Sequence, residues 1–221
     1  MGERTEKSPP RPARPARPAW ADVMGRVASL MVLALAAVPG RHAAAAISDQ
    51  ITVGNTRVIV RSVIGSFEGD LRVLELEDDV YHNELIETEE ESATKLVFLD
   101  ETSLTLGPDS TVVLDSFIYD PDPSQASFVM TATKGIFRFA SGKLPKNAYR
   151  LHTPAATIGI RGTVLAFSID PADGEGDEAV VRIALEEGAA TIDDCRGNRL
   201  ILGPGQSLEL AWDPSKRCAA P

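Results

Sequence analysis

An all-β fold, a single domain of many short strands built as a sandwich, a roll or a solenoid-like stack, is predicted for this chain of 221 residues. Three observations carry the prediction. Val181, Ile183 and Leu185 alternate with Arg182, Ala184 and Glu186, the period-two pattern of a strand with one buried face. Turn-forming groups recur at short intervals: Gly69-Asp70, Gly107-Pro108-Asp109, Asp120-Pro121-Asp122-Pro123, Glu187-Gly188, Gly197-Asn198 and Gly203-Pro204-Gly205. No segment beyond Ile47 keeps a 3.6-residue apolar period long enough for a helix, which disfavours helix-rich α/β enzymes.

The chain opens with a segment that does not belong to that fold. Residues 1–23 are crowded with Pro and Arg, a composition that cannot bury a core. After Arg26 an apolar run from Val27 to Val38 leads to Pro39-Gly40 and Ala43-Ala44-Ala45-Ala46. A basic flank, a short apolar centre and an Ala-x-Ala site are the marks of a secretory signal peptide. The run is about 12 residues, short of the roughly 20 that span a bilayer. Residues 1–46 are therefore expected to be a signal peptide with a basic Pro/Arg-rich extension, cleaved after Ala46 or, second, after Ala45. The start is Met1 or Met24, and a nucleic-acid-binding arm is the alternative for the basic tract. Removal of residues 1–46 leaves 15 basic and 29 acidic residues, a net charge of −14 that repels nucleic acid and anionic lipid. The mature chain is expected to be periplasmic or secreted, with no permanent membrane span.

Strand-like runs then follow in order at Arg57–Val63, Leu71–Leu76, Lys95–Leu99, Thr111–Phe117, Ser127–Thr133, Gly135–Phe139, Thr163–Ile169, Ala189–Asp193, Arg199–Leu202 and Gln206–Leu210. The domain is set at residues 47–212, with 213–221 as a tail. One internal echo stands out: residues 104–114 and 200–210 each read as strand, Gly-Pro corner, strand, with leucines at matching offsets. Of the acidic stretches, 87–91 and 173–178 are expected on solvated loops. The second lacks the Asp-x-Asp-x-Asp-Gly framework of a calcium loop.

Two cysteines, Cys195 and Cys218, fall late in the chain. In an oxidising compartment they are expected to form one disulfide; the zinc alternative would need ligands that neither His82 nor His152 supplies at suitable spacing. The same two histidines are the only ones after Ile47, and neither lies near a Gly-x-Ser-x-Gly elbow. Phosphate-binding Gly-rich loops are missing too, so no catalytic residue, metal ligand or cofactor is assigned and the chain is not expected to be an enzyme.

The most specific segment is Tyr149-Arg-Leu-His-Thr-Pro-Ala-Ala-Thr-Ile-Gly-Ile-Arg-Gly-Thr163. It resembles the signature of FecR-domain proteins: a Thr-Pro step, a small residue, an apolar-x-apolar strand and Arg-Gly-Thr. Residues 84–100 are similar to the passage into the strand before that family's Asp-Gly-Ser turn, here Asp100-Glu101-Thr102, and Gly135–Phe139 looks like its next strand. The Glu in place of Gly leaves the turn type open. The resemblance runs along roughly 52–212 and makes Thr153, Pro154, Ile158, Gly159, Arg161, Gly162 and Thr163 signature residues, mainly structural. Pro154 is expected to end a strand and Gly162 to supply a bend. Arg161 has two readings, an internal clamp on carbonyls of adjacent turns, the expected one, or a contact to a partner.

Full-length regulators of the FecR family join a cytoplasmic anti-sigma segment, one membrane span and a periplasmic region that relays the state of an outer-membrane receptor. The resemblance here implies the periplasmic domain alone, without an anti-sigma segment. The expected function is an exported binding module for a protein partner in envelope sensing or signalling. The alternatives are a structural or scaffold protein of the envelope or secreted space and, from another class, a carbohydrate-active β-roll enzyme.

Overall fold

The computed structural model describes residues 50–120, 122, 124–171 and 179–212. The expected signal peptide, the acidic stretch at 173–178, Cys218 and the tail 213–221 lie outside the described residues. Every regular element among the described residues is a strand: β1 (Thr52–Val60), β2 (Val63–Phe67), β3 (Asp70–Val73), β4 (Asp79–Tyr81), β5 (Leu85–Thr88), β6 (Ala93–Phe98), β7 (Ser103–Leu106), β8 (Thr111–Ile118), β9 (Ser127–Ala140), β10 (Tyr149–His152), β11 (Ala156–Asp170), β12 (Ala179–Asp194), β13 (Arg199–Leu202) and β14 (Ser207–Trp212). The fold is all-β, as predicted.

The 14 strands form one open sheet that folds over on itself. Three long strands make this possible, because each pairs with different neighbours along its two halves. The first halves of β9 and β11 and the second half of β12 belong to a layer ordered β3-β2-β5-β8-β9-β10-β11-β12-β13. Their other halves belong to a layer ordered β4-β1-β6-β7-β9-β11-β12-β14. Pairing is antiparallel throughout except between β9 and β10. Strands that switch layers at bulges are the usual corner of a folded-over sheet. The inner faces of the two layers pack ring on ring: Phe98 of β6 meets Phe128 of β9 edge-on at 4.8 Å, and Phe139 meets Tyr149 at 5.8 Å.

The bends have a local cause. Register shifts between Arg161 and Val164 of β11, opposite Gly188 of β12. Gly162 and Gly188 have φ of 63° and 82°, and a Cβ on Gly188 would lie 2.1 Å from the Gly162 carbonyl oxygen. The two strands turn together only because both positions lack a side chain. For the same reason the sequence runs Ser127–Thr133 and Gly135–Phe139 are one strand, β9, and Glu187-Gly188 is a bulge inside β12 and not a turn between strands. Strands β4, β5, β7 and β10 are additional to the runs read from the sequence, and the run Arg57–Val63 spans the junction of β1 and β2.

The internal echo marks the other way across. Residues 104–114 run from β7 in one layer to β8 in the other, and 200–210 from β13 to β14, again between layers. Asp109 and Gly205 occupy equivalent places in the two copies and both have positive φ, 52° and 76°. Each corner hangs on a shared strand, Gly107 N donating to Ile136 O and Gly205 N to Leu185 O, both at 2.8 Å.

Candidate functional site

The signature segment folds as the β10–β11 hairpin and the bulge that follows it. Register pairs Arg150 with Gly159, Leu151 with Ile158 and His152 with Thr157, which leaves Pro154-Ala155 as the two-residue tip. Thr153 closes the tip: its N–H donates to the Ala156 carbonyl at 2.9 Å, and its hydroxyl accepts from Ala156 N at 3.1 Å. Pro154 thus ends the β10 ladder where its missing N–H costs nothing. The next turn along, between β12 and β13, leans on this tip through Cys195 N, 3.2 Å from Ala155 O. Cys195 is described, its expected partner Cys218 is not.

Ile158 is fully buried in the core. At the bulge, Thr163 does what was expected of Arg161. The Thr163 hydroxyl donates to Ala189 O at 2.8 Å and accepts from Arg161 N at 3.3 Å, while Thr163 N donates to Ser141 Oγ at 2.9 Å. Arg161 itself does not clamp carbonyls of adjacent turns: its side chain is exposed and, among the described residues, takes part in no hydrogen bond or ion pair. The reason is the strand's own alternation, since Ile160 points to the core and Arg161 therefore points out.

A buried polar knot beside the signature was not foreseen. Asp100, fully buried, accepts from Thr102 N at 3.0 Å, Thr102 Oγ1 at 2.6 Å and Tyr149 Oη at 2.8 Å. Burial is the main cause that pushes the Tyr149 phenol up to about 12, so it remains a donor. Leu144 N donates to the same phenol oxygen at 3.1 Å, and Gly142 N to Thr102 Oγ1 at 3.0 Å. The knot ties the β6–β7 turn to the loop that leads into β10. In that turn Glu101 adopts φ 69°, the left-handed conformation a glycine would take, so the substitution leaves the turn's shape in place.

A second buried carboxylate sits at the far end of the first layer. Glu84 accepts from Arg72 Nε at 3.0 Å, Arg72 Nη2 at 3.1 Å and Tyr81 N at 2.8 Å. Burial raises its pKa above the ordinary carboxylate value, against the hydrogen bonds from Tyr81 and Arg72. Of the histidines, His152 Nδ1 lies 3.0 Å from Thr157 Oγ1 across the hairpin. Among the described residues no group of three His, Cys, Asp or Glu is placed to hold a metal ion, and no helix is long and apolar enough to cross a membrane.

Residues 84–191 match the family described as FecR protein. Two solved structures are matched in part, both of a candidate anti-sigma factor from Parabacteroides distasonis. One, at 2.50 Å, is 15% identical with a TM-score of 0.42, and the match covers 60% of this chain and 61% of that one. The other, at 1.65 Å, is 14% identical with a TM-score of 0.40 over the same shares. The chain thus spans less than two thirds of the length of either. No curated protein matches it.

Proposed function

Starting from the FecR domain that the chain carries over residues 84–191, we propose that it is an exported module of the cell envelope that recognises a protein partner in sensing or signalling, by a sheet edge and without chemical turnover. The observation that supports this is the free edge at β3. Among the described residues this strand pairs only with β2, which leaves the other side of its backbone open there. Its Leu71 and Val73 are 74% and 67% exposed, and Leu76 just beyond is 61% exposed. Natural proteins ordinarily blunt such edges with charge, proline or a covering element. Here the charge of Arg72 is turned to Glu84 and, among the described residues, no element covers Leu71 and Val73, so the edge is suited to accept a strand from another chain, main-chain hydrogen bonds giving affinity and side-chain contacts specificity.

The edge is also held firmly. Arg72, between the two apolar residues, reaches from β3 to buried Glu84 and stacks over Tyr81 at 4.8 Å. A strand pinned from one face is preorganised for pairing at its other edge, which lowers the ordering cost of binding.

Site-specific photocrosslinking in intact cells tests the reading, with the probe at Val73 and, as control, at Ile136 on the opposite layer. Capture of one protein from Val73 alone, abolished by Leu71→Lys with an unchanged melting temperature, is expected. Capture of a second copy of the chain would turn the reading to the scaffold alternative. Equal labelling from both positions would end the edge proposal. N-terminal sequencing of fractionated protein tests export, with Ile47 or Ala46 expected as the first residue; an intact residue 1–46 segment on cytosolic protein would end that part.

A further inference from the structure

The outer face of the first layer carries a cleft of about 230 Å³ between β10, β11, β12 and β13. Gly159 is its floor. Register places Gly159 between Arg150 of β10 and Thr191 of β12, so a strand position that would normally project a side chain projects none. Nothing in the fold demands this. A Cβ built on Gly159 would meet only Thr191 O at 3.8 Å and Thr191 Cβ at 3.9 Å, ordinary contact distances, and its φ is not left-handed.

Around that floor stand Lys146, Arg150, Arg161 and Arg199. Arg199 is held by Asp193 in a two-point pair at 2.6 and 3.1 Å. Lys146, Arg150 and Arg161 have no ion-pair partner among the described residues, although Arg57, Arg61, Arg72, Lys134, Arg138, Lys143 and Arg182 each have one. The whole chain carries a net charge of −10, so carboxylates are in excess. Four cations thus stand around one opening against one lining carboxylate, Asp193, which Arg199 engages, and the remaining three set up a local positive potential. Lys146 belongs to the same group in space, its Cε 3.6 Å from where a Cβ on Gly162 would sit, beside Arg161.

From this geometry we infer that the cleft is a binding site for the oxyanion group of a small ligand, a carboxylate or a phosphate. Arg150 and Arg161 supply planar forks that match either group in two-point hydrogen bonding. Lys146 adds a third, point-like charge. Thr157 and Thr191, which also line the cleft, offer hydroxyls to the neutral part of the ligand. The volume suits one acid or one acidic sugar unit, below the range of drug-sized pockets. The site lies at the opposite end of the layer from β3 and does not depend on the edge-recognition reading.

Titration of the full chain, as purified, with sodium phosphate and separately with sodium glucuronate, followed by amide chemical shifts, tests the site. Sodium chloride at matched ionic strength is the control. Saturable shifts centred on 157–161 and 191 are expected with one or both probes, and the probe that saturates identifies the oxyanion. Arg150→Gln and Arg161→Gln should each weaken binding at least tenfold, Gly159→Val should abolish it by filling the floor, and Arg196→Gln, outside the cleft, should change nothing. If Gly159→Val lowers the melting temperature, the Arg150→Gln/Arg161→Gln double variant decides in its place. Saturation by neither probe, or shifts that follow ionic strength alone and persist in the double variant, would overturn the assignment.

Discussion

Replacing Arg72 with Ala should cost about 3 kcal/mol at pH 7, and much less at pH 4. The side chain of Glu84 is 0% exposed and that of Arg72 32%. Arg72→Ala removes both charge-assisted hydrogen bonds from Arg72 and leaves the carboxylate with Tyr81 N as its remaining donor. Removing one partner of a buried pair costs about 3–5 kcal/mol, and the partial exposure of Arg72 sets the lower end. The pH dependence follows from the direction of the Glu84 shift. Burial holds its folded pKa above the ordinary 4.5, so the stability gained from the neutral acid is complete below that value and is lost as pH rises through the folded pKa. Arg72 opposes the rise, and without it the folded pKa climbs further. At pH 4 the acid is neutral in the variant and needs no cation. Urea unfolding of both proteins at pH 4 and pH 7 reads the difference, and adding Glu84→Gln to the variant should recover part of the loss at pH 7. Equal costs at the two pH values would show that Arg72 contributes packing and no charge compensation, and the reasoning would fail.

Three further outcomes are expected. Tyr149→Phe removes one donor from the buried Asp100 carboxylate and the nearer of two acceptors of Leu144 N, and should lower stability by about 2 kcal/mol in chemical denaturation; a loss under about 0.5 kcal/mol would mean the knot is solvated. Glu101→Gly should raise stability by about 0.5–1 kcal/mol, because the left-handed strain at φ 69° exceeds the value of an exposed pair with Lys143; a lower melting temperature would refute it. A Cys195–Cys218 disulfide closes a loop of about 22 residues and should stabilise by roughly 3 kcal/mol, with no thiol labelled in the denatured, unreduced protein; two labelled thiols would exclude the bond.

The strands that alternate cleanly, such as Val181 to Leu185 in β12 and Thr111 to Leu114 in β8, were legible because one face is wet and the other buried. The long strands were not legible as wholes. Gly135, Gly162 and Gly188 read locally as breaks, and only pairing with a neighbour that bends at the same place turns a break into a bulge. Strand β5 was masked by its neighbourhood, since Glu87 and Thr88 open what reads as an acidic loop. Buried Glu84 and Asp100 gave no signal at all: a carboxylate's burial depends on donors distant in sequence, Arg72 and Tyr149.

The signature separates once each residue is asked whether the fold needs it. Thr153 closes the hairpin tip, Pro154 occupies it, Ile158 fills the core, Gly162 makes the bend and Thr163 bridges it to β12. Each of these five would be required of a purely architectural segment. Gly159 and Arg161 would not: the first has room for a Cβ that it lacks, and the second is a cation with no partner among the described residues. Both line the same cleft, on the face of β11 that points away from the core. A motif read as structural thus contains two positions whose chemistry is directed outward, and their effect is joint. Arg161 alone on a flat strand would be an ordinary solvated charge. The concavity that Gly159 leaves open beside it, with Arg150 across the register, is what gives that charge a place to hold a ligand.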